Sequence, residues 1–283
     1  MNKAILLMRS RISRASVYTF STIAGIMIST KGDVSGSILI LAPLSTFFIA
    51  LGVYLLNDLF DIRLDRINAP NRPMASLAVS RKEASYLVVM LNVTGAMIGF
   101  ALGPLPFVIT LLEIFVGICY SMRPFNLKDK FVVKTLSIGA GGILANLFGG
   151  AASGIVDRDL IFSSAMFLVF LFYTSPINDL ADYVGDLVEH RRTIPIVIGP
   201  ARTVKLSMVA GIAPAILLLV LFPVLRFNPL SFAFLTLVAV RAVQLLLPLK
   251  NRPSPTSAQK YHKQMVYLHF LLQGGLVIAS LPI

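Results

Sequence analysis

Charge is scarce in this chain. Only 13% of its 283 residues are Asp, Glu, Lys or Arg, against 56% hydrophobic residues and a mean hydropathy of +0.81. That is too little polar surface to coat a soluble globule, so the composition is that of a membrane protein. Cysteine is almost missing: Cys119 stands alone inside an apolar run, reads as a small core residue, and excludes an internal disulfide framework. Histidine is rare too, and His190, His262 and His269 show no metal-ligand spacing; His190 reads as a solvated loop residue. No low-complexity stretch and no separate soluble domain is present, so residues 1–283 read as one transmembrane domain. Lys3, Arg9, Arg11 and Arg14 precede the first apolar run without a small-residue cleavage site, which does not read as a cleaved signal.

What the chain has in abundance is long apolar runs. A helix needs about 20 apolar residues to span the hydrocarbon, and nine runs approach this, at roughly 14–30, 37–60, 84–102, 104–121, 132–154, 160–178, 204–225, 229–249 and 264–282. The expected fold is therefore all-α and polytopic, with nine transmembrane helices. In a soluble protein the net charge of +12 would point to nucleic acid; here position matters more than number, and no nucleic-acid partner is expected. Of the 25 Lys and Arg residues, 21 fall before the first run or in segments 61–82, 122–134, 187–205 and 249–263, all on one side of a nine-span chain. The positive-inside rule predicts these segments and the N-terminus in the cytoplasm and the C-terminus outside the cell membrane.

Acids are the rarest charge, and six of the thirteen sit in two stretches of identical pattern. Asn57, Asp58, Leu59, Asp61 and Asp65 repeat as Asn178, Asp179, Leu180, Asp182 and Asp186, each copy closing an apolar run. Side chains four apart share a helical face, which groups Asn57, Asp61 and Asp65, and likewise Asn178, Asp182 and Asp186. Such crowding is unfavourable unless cations neutralise it, and its simplest use is to hold divalent metals with something anionic. The copies lie 121 residues apart, each after the second span of a four-span block. Four is even, so the halves are expected to be parallel repeats, with a ninth helix completing a bundle around a central cavity. Pro43, Pro176 and Pro214 interrupt apolar runs, and Pro176 is placed to bend the second motif helix. Gly139, Gly141, Gly142, Gly149 and Gly150 lie inside a span with no preceding strand; they read as close-packing residues, not a dinucleotide fingerprint.

These residues resemble the UbiA superfamily of intramembrane prenyltransferases, and the likeness covers essentially the whole chain. The first motif continues Arg66, Ile67, Asn68, Ala69, Pro70, Asn71, Arg72, Pro73; the second ends Arg191, Arg192, Thr193, Ile194, Pro195; and Tyr120, Ser121, Pro124 and Lys128 are similar to a further family stretch. The resemblance implies Mg²⁺-dependent transfer of a prenyl group from its diphosphate to an acceptor. Catalytic positions are then Asn57, Asp61, Asp182 and Asp186. The metal set is these four with Asp58, Asp65 and Asp179, by direct or water-bridged contact. Substrate-binding positions are Tyr120, Arg123, Lys128, Arg66, Arg72 and Arg11. The 19 Phe and 8 Tyr can wall off an allylic cation from water. One departure is Arg14, a cation where the family's first span often carries Asn.

The run from Asn71 to Ser76 and the cytoplasmic cations are most similar to archaeal members that prenylate the glycerol hydroxyl of geranylgeranylglyceryl phosphate in ether-lipid synthesis. There the donor is geranylgeranyl diphosphate, and Arg14 or Arg191 would suit the acceptor phosphate. An aromatic, 4-hydroxybenzoate-type prenyltransferase of quinone synthesis is the alternative. A cation-coupled transporter is a third reading, disfavoured because its carboxylates belong near the midplane and these close their spans. Glu113 and Arg241 lie deep in predicted spans, where unpaired charge is costly, and a mutual ion pair between them is expected.

Overall fold

Helix starts and stops follow local chemistry along most of the chain. The computed structural model describes residues 3–282, beginning with α1 (Lys3–Arg9), α2 (Ile12–Thr30), α3 (Gly36–Phe60) and α4 (Ile62–Asn68). Ser80 opens α5 (Arg81–Leu102) with a capping box: its Oγ accepts from the Glu83 N–H, and its own N–H donates to Glu83 Oε2 at 3.0 Å. Gly103, at φ 128°, ends α5, and Pro104 starts α6 (Pro104–Ser121) at a position that needs no N–H. α7 (Val133–Ala152) precedes α8 (Arg158–Ala181), which Asp157 caps by accepting from Leu160 N at 3.0 Å. Then come α9 (Tyr183–Val188), α10 (Ile194–Ile198), α11 (Pro200–Leu221), α12 (Leu230–Asn251) and α13 (Pro255–Ser280), the last capped by Ser254.

Nine of these helices have 18 residues or more among the described residues: α2, α3, α5 to α8 and α11 to α13. Seven are long and apolar enough to cross a membrane, α3, α5, α6, α7, α8, α11 and α12. The other two, α2 and α13, coincide with the expected first and ninth spans but carry more polar side chains. Those side chains point inward: Arg14, His262 and His269 line a cavity, and Gln273 Oε1 accepts from Asn146 Nδ2 at 3.4 Å. On the outer face of α5, Val89, Met97 and Phe100 are more than half exposed, as are Val209, Leu219 and Val220 on α11. Apolar side chains turned outward over whole helices are the surface a bilayer requires, and the protein is an all-α polytopic membrane protein.

Six of the nine long helices, α2, α3, α6, α7, α8 and α13, enclose the cavity together with the short α4 and α9, while α5, α11 and α12 pack behind them. α2 and α7 approach closely. A Cβ on Gly25 would overlap the Asn146 carbonyl, and one on Gly149 the Thr22 carbonyl. Polar side chains hold the same seam: Thr22 Oγ1 donates to Ala145 O at 2.9 Å, and Asn146 Nδ2 to Ser21 O at 3.0 Å. A Cβ at Gly142 would strike the Phe167 ring, so the glycine run serves packing of α7 against both α2 and α8.

Gly149→Ala is expected to cost about 1–3 kcal/mol by overpacking, lowering the thermal midpoint in detergent. Gly36→Ala, whose Cβ meets nothing within 4 Å, leaves it nearly unchanged. Equal midpoints for the two variants would contradict this packing.

Candidate active site

Both acidic motifs are built by the same local device. α3 stops at Phe60 and Asp61 sits at the break with φ −100° and ψ 11°; α8 stops at Ala181 and Asp182 takes φ −93° and ψ 8°. One continuous helical face was expected through each motif, and the structure corrects this: the helix is interrupted at the middle acid. The hydrogen-bond ladder nevertheless runs on. Asp61 N donates to Asn57 O and Asp65 N to Asp61 O; Asp182 N donates to Asn178 O and Asp186 N to Asp182 O. The four-residue spacing therefore still groups each motif, while α4 and α9 swing to meet each other. Gly185 on α9 lies so close to the Asn68 side chain that a Cβ would not fit, and Arg63 Nε reaches Glu189 Oε1 at 3.0 Å.

Between the motifs opens a cavity of about 240 Å³. Asn57, Asp61, Asp65, Asn178, Asp182 and Asp186 line it at one end. Val17, Ile49, Val53, Val116, Phe167 and Leu171 line its apolar wall. The acids are matched by side-chain cations. Arg11 grips Asp58 with Nε at 2.7 Å from Oδ2 and NH2 on Oδ1. Lys128 Nζ lies 2.8 Å from Asp61 Oδ1 and 3.3 Å from Asn57 Oδ1. Arg72 binds Asp65, and Lys134 Nζ donates to Asp179 Oδ1 at 2.5 Å. Arg191 joins the halves: it binds Asp61 of the first motif, Asp129 at 2.9 Å, and stands 4.0 Å from Asp186 of the second.

These pairings set the proton affinities of the acids outside the spans. Burial raises Asp61, but Arg191 and Lys128 outweigh it and hold the carboxyl below its ordinary range. For Asp65, burial wins over Arg72 and the shift is upward. Burial pushes Asp186 up to about 6 against the pull of Lys134.

The predicted residues separate into three groups. Asn57, Asp61, Asp65, Asp182, Asp186, Tyr120, Arg11 and Arg72 line the cavity. Asp58, Asp179 and Lys128 are buried just behind that lining and act on neighbours through their ion pairs. Arg66 and Arg123 do not reach it: both are exposed, on α4 and on the loop after α6. The expected Glu113–Arg241 pair does not form. Glu113 faces the cavity from α6, whereas exposed Arg241 on α12 donates to Gln244 Oε1 at 2.8 Å. Lys134, His262 and His269 also line the cavity. They went unassigned because a basic residue at a span's start reads as topology, although a histidine within a span is itself a signal of function.

Among the described residues no three Asp, Glu, His or Cys side chains converge on one ion position. Mg²⁺ is commonly bound through one or two carboxylates plus substrate phosphates. Free donors exist: Asp186 Oδ2 is buried without a partner, and the Asp182 side chain, which lines the cavity, makes no ion pair or hydrogen bond with any other described side chain.

The fold and site define a helical membrane protein whose two acidic helix ends share one half-apolar cavity. The chain belongs to the UbiA prenyltransferase family, whose model matches residues 18–271, and it is a prenyltransferase. It is 26% identical over 257 residues to digeranylgeranylglyceryl phosphate synthase of Methanosphaera stadtmanae, covering 91% of this chain and 90% of the relative. A solved structure concerned with digeranylgeranylglyceryl phosphate synthase in membranes superposes with a TM-score of 0.76 at 19% identity, covering 99% and 98% of the two chains. A UbiA homolog from Archaeoglobus fulgidus bound to GPP and Mg²⁺ gives 0.70 at 18% identity, covering 98% and 99%.

Asp186 predicts a pH dependence of the metal-free protein. Below its ordinary value of 3.8 folded and unfolded chains both carry the proton. As pH rises above this the unfolded chain ionises first and stability falls, until above about 6 the folded chain ionises too and the loss, about 3 kcal/mol, is complete. Asp186→Asn is expected to lack this decline, so its thermal midpoint gains on wild type from pH 4 to 6.5. Parallel pH profiles would contradict the assignment.

Proposed function

We propose that this prenyltransferase moves a geranylgeranyl group from geranylgeranyl diphosphate to the glycerol hydroxyl of geranylgeranylglyceryl phosphate, with Mg²⁺ as cofactor and inorganic diphosphate as the second product. The observation that carries the reading is that Asn57, Asp61 and Asp65 share one cavity with Asn178, Asp182 and Asp186, and that the same cavity continues into an apolar wall. A prenyl diphosphate has that polarity, an anionic head on a long hydrocarbon tail.

The charges lining the cavity support the metal requirement. Five acids, Asp61, Asp65, Glu113, Asp182 and Asp186, stand among five basic residues, Arg11, Arg14, Arg72, Lys134 and Arg191. So balanced a site has little net positive charge to offer a diphosphate. Asn57, Asp61, Asp182 and Asp186 would hold Mg²⁺, with Asp65 beside them; when bound, the metal neutralises charge developing on the leaving diphosphate. Arg72 and Arg191 stand at the same end to orient diphosphate oxygens. Tyr18, Tyr54 and Phe167 turn aromatic groups toward the cavity, excluding water and presenting π-faces to an allylic cation.

Arg14 supports an anionic acceptor. It lines the cavity without an ion pair or hydrogen bond to any described side chain, unlike Arg11, Arg72, Lys134 and Arg191. A phosphate on the acceptor supplies the missing partner. The match to digeranylgeranylglyceryl phosphate synthase over nine-tenths of both chains favours this acceptor over an aromatic one.

The same reading takes all nine long helices as crossings, in two parallel four-helix repeats plus α13. The matching breaks at Asp61 and Asp182 support that equivalence of α3 with α8. In a Cys119→Ala background, a membrane-impermeant maleimide is expected to label Arg252→Cys from the cytoplasm and Asp33→Cys from outside. Labelling of both from one side would overturn the topology.

Purified protein given geranylgeranyl diphosphate and Mg²⁺ is expected to prenylate geranylgeranylglyceryl phosphate, identified by mass spectrometry, in preference to 4-hydroxybenzoate. Asp61→Ala, Asp182→Ala or EDTA should each lower turnover at least ~100-fold, the scale of losing electrostatic stabilisation of a leaving group, and Arg14→Ala should raise KM for the phosphorylated acceptor. Preference for 4-hydroxybenzoate would replace the acceptor assignment. Turnover persisting in EDTA would reject the metal mechanism, and solute uptake without covalent product would favour a transporter.

A further inference from the structure

Prenylation of a hydroxyl liberates a proton, and the cavity wall holds one group suited to take it. His269 on α13 is 3% exposed and lines the cavity. Its Nε2 lies 3.2 Å from Thr174 Oγ1, while Nδ1 is buried with no hydrogen-bond partner. His269 thus belongs to the cavity lining and carries a buried ring nitrogen whose hydrogen-bonding capacity is unsatisfied. With Nε2–H donated to Thr174, Nδ1 presents a bare lone pair.

The depth is right for the chemistry. Thr174 precedes Asn178 by four residues and Asp182 by eight, which places His269 about 6–12 Å below the second motif along α8. A diphosphate held between the motifs directs its first carbon toward that level. The carboxylates serve less well: Asp58, Asp61, Asp65 and Asp179 are paired with Arg or Lys, Asp182 and Asp186 are assigned to the metal, and an ionised Glu113 would be a charge without a partner among the described residues. Neutral imidazole is a base that carries no charge, the form an apolar wall tolerates. Phe167 and Phe170 flank it, with ring centroids at 5.1 and 4.9 Å, and can stabilise the imidazolium that forms.

We propose that His269 is the proton acceptor of the transfer step. The C1–O bond of the prenyl diphosphate breaks with its electron pair leaving on the diphosphate. The acceptor hydroxyl oxygen donates a lone pair to C1, forming the ether bond, and its proton passes to His269 Nδ1. The imidazolium returns that proton to the departing diphosphate or to water, with His262 lining the same cavity from the same helix. The inference rests on the prenyl-transfer reading but not on which acceptor is used, because an aromatic acceptor also sheds a proton.

The test uses full-length protein in lipid nanodiscs with geranylgeranyl diphosphate, Mg²⁺ and the hydroxyl acceptor. His269→Gln, which can keep the bond to Thr174 but is no base, is expected to lower kcat roughly 10²–10⁴-fold with KM for the diphosphate little changed. Added imidazole should restore turnover to His269→Ala. A thiol analogue of the acceptor, ionised at alkaline pH, should be prenylated by His269→Gln at close to the wild-type rate. Wild-type kcat in His269→Gln would overturn the proposal. So would equal losses with hydroxyl and thiolate acceptors together with no imidazole rescue, which mark a structural role. Wild-type protein that forms no prenylated product from any acceptor overturns the underlying reading instead.

Discussion

Carboxylates buried at the ends of apolar helices must be matched by positive charge, and the architecture of this protein is arranged around that requirement. An unpaired buried charge costs several kcal/mol. The chain supplies Arg11 to Asp58, Lys128 and Arg191 to Asp61, Arg72 to Asp65, and Lys134 to Asp179. Arg191 matters most because it comes from the loop after the second motif and closes on the first. With Arg63 on Glu189 and the close approach of Gly185 to Asn68, it ties the two acidic helix ends together across the cavity.

The pairing also divides labour within each motif. Asp58 and Asp179, the second residue of each copy, turn away from the cavity and anchor Arg11 and Lys134, which line it. The first, third and fourth polar positions face inward. Four-residue spacing explains this division: residues one position apart point in different directions on a helix, so the leading Asn and the two later Asp share a face that the adjacent Asp cannot. Duplicating the motif duplicates the division, and both anchored cations line the cavity.

Much of this was legible in the sequence, and what was not has identifiable physical reasons. The duplicated acids and the long apolar runs announced a two-sided acidic site in a helical membrane protein. The breaks at Asp61 and Asp182 were invisible because neither position has a Gly or Pro; the interruption accompanies the docking of α4 on α9, a tertiary contact. α2 and α13 read as spans from their apolar residues, yet their polar side chains bring them below the other seven in hydropathy because they face a cavity. Arg123 and Arg66 sit in recognisable motif context, but sequence adjacency does not fix direction, and both project outward. Glu113 and Arg241 both read as intramembrane charges, yet among the described residues α6 and α12 share no extensive contact and Arg241 turns to Gln244, so the pair does not form. The same rule applied to His269 would have singled it out.

The central claim is that both acidic motifs act on one diphosphate, and a double-mutant cycle tests it most directly. Mg²⁺-dependent affinity for geranylgeranyl diphosphate is measured for wild type, Asp61→Ala, Asp182→Ala and the double variant. A shared site predicts that the two losses are non-additive by more than about 0.5 kcal/mol. Losses that simply add, or affinity that survives both substitutions, would contradict the account.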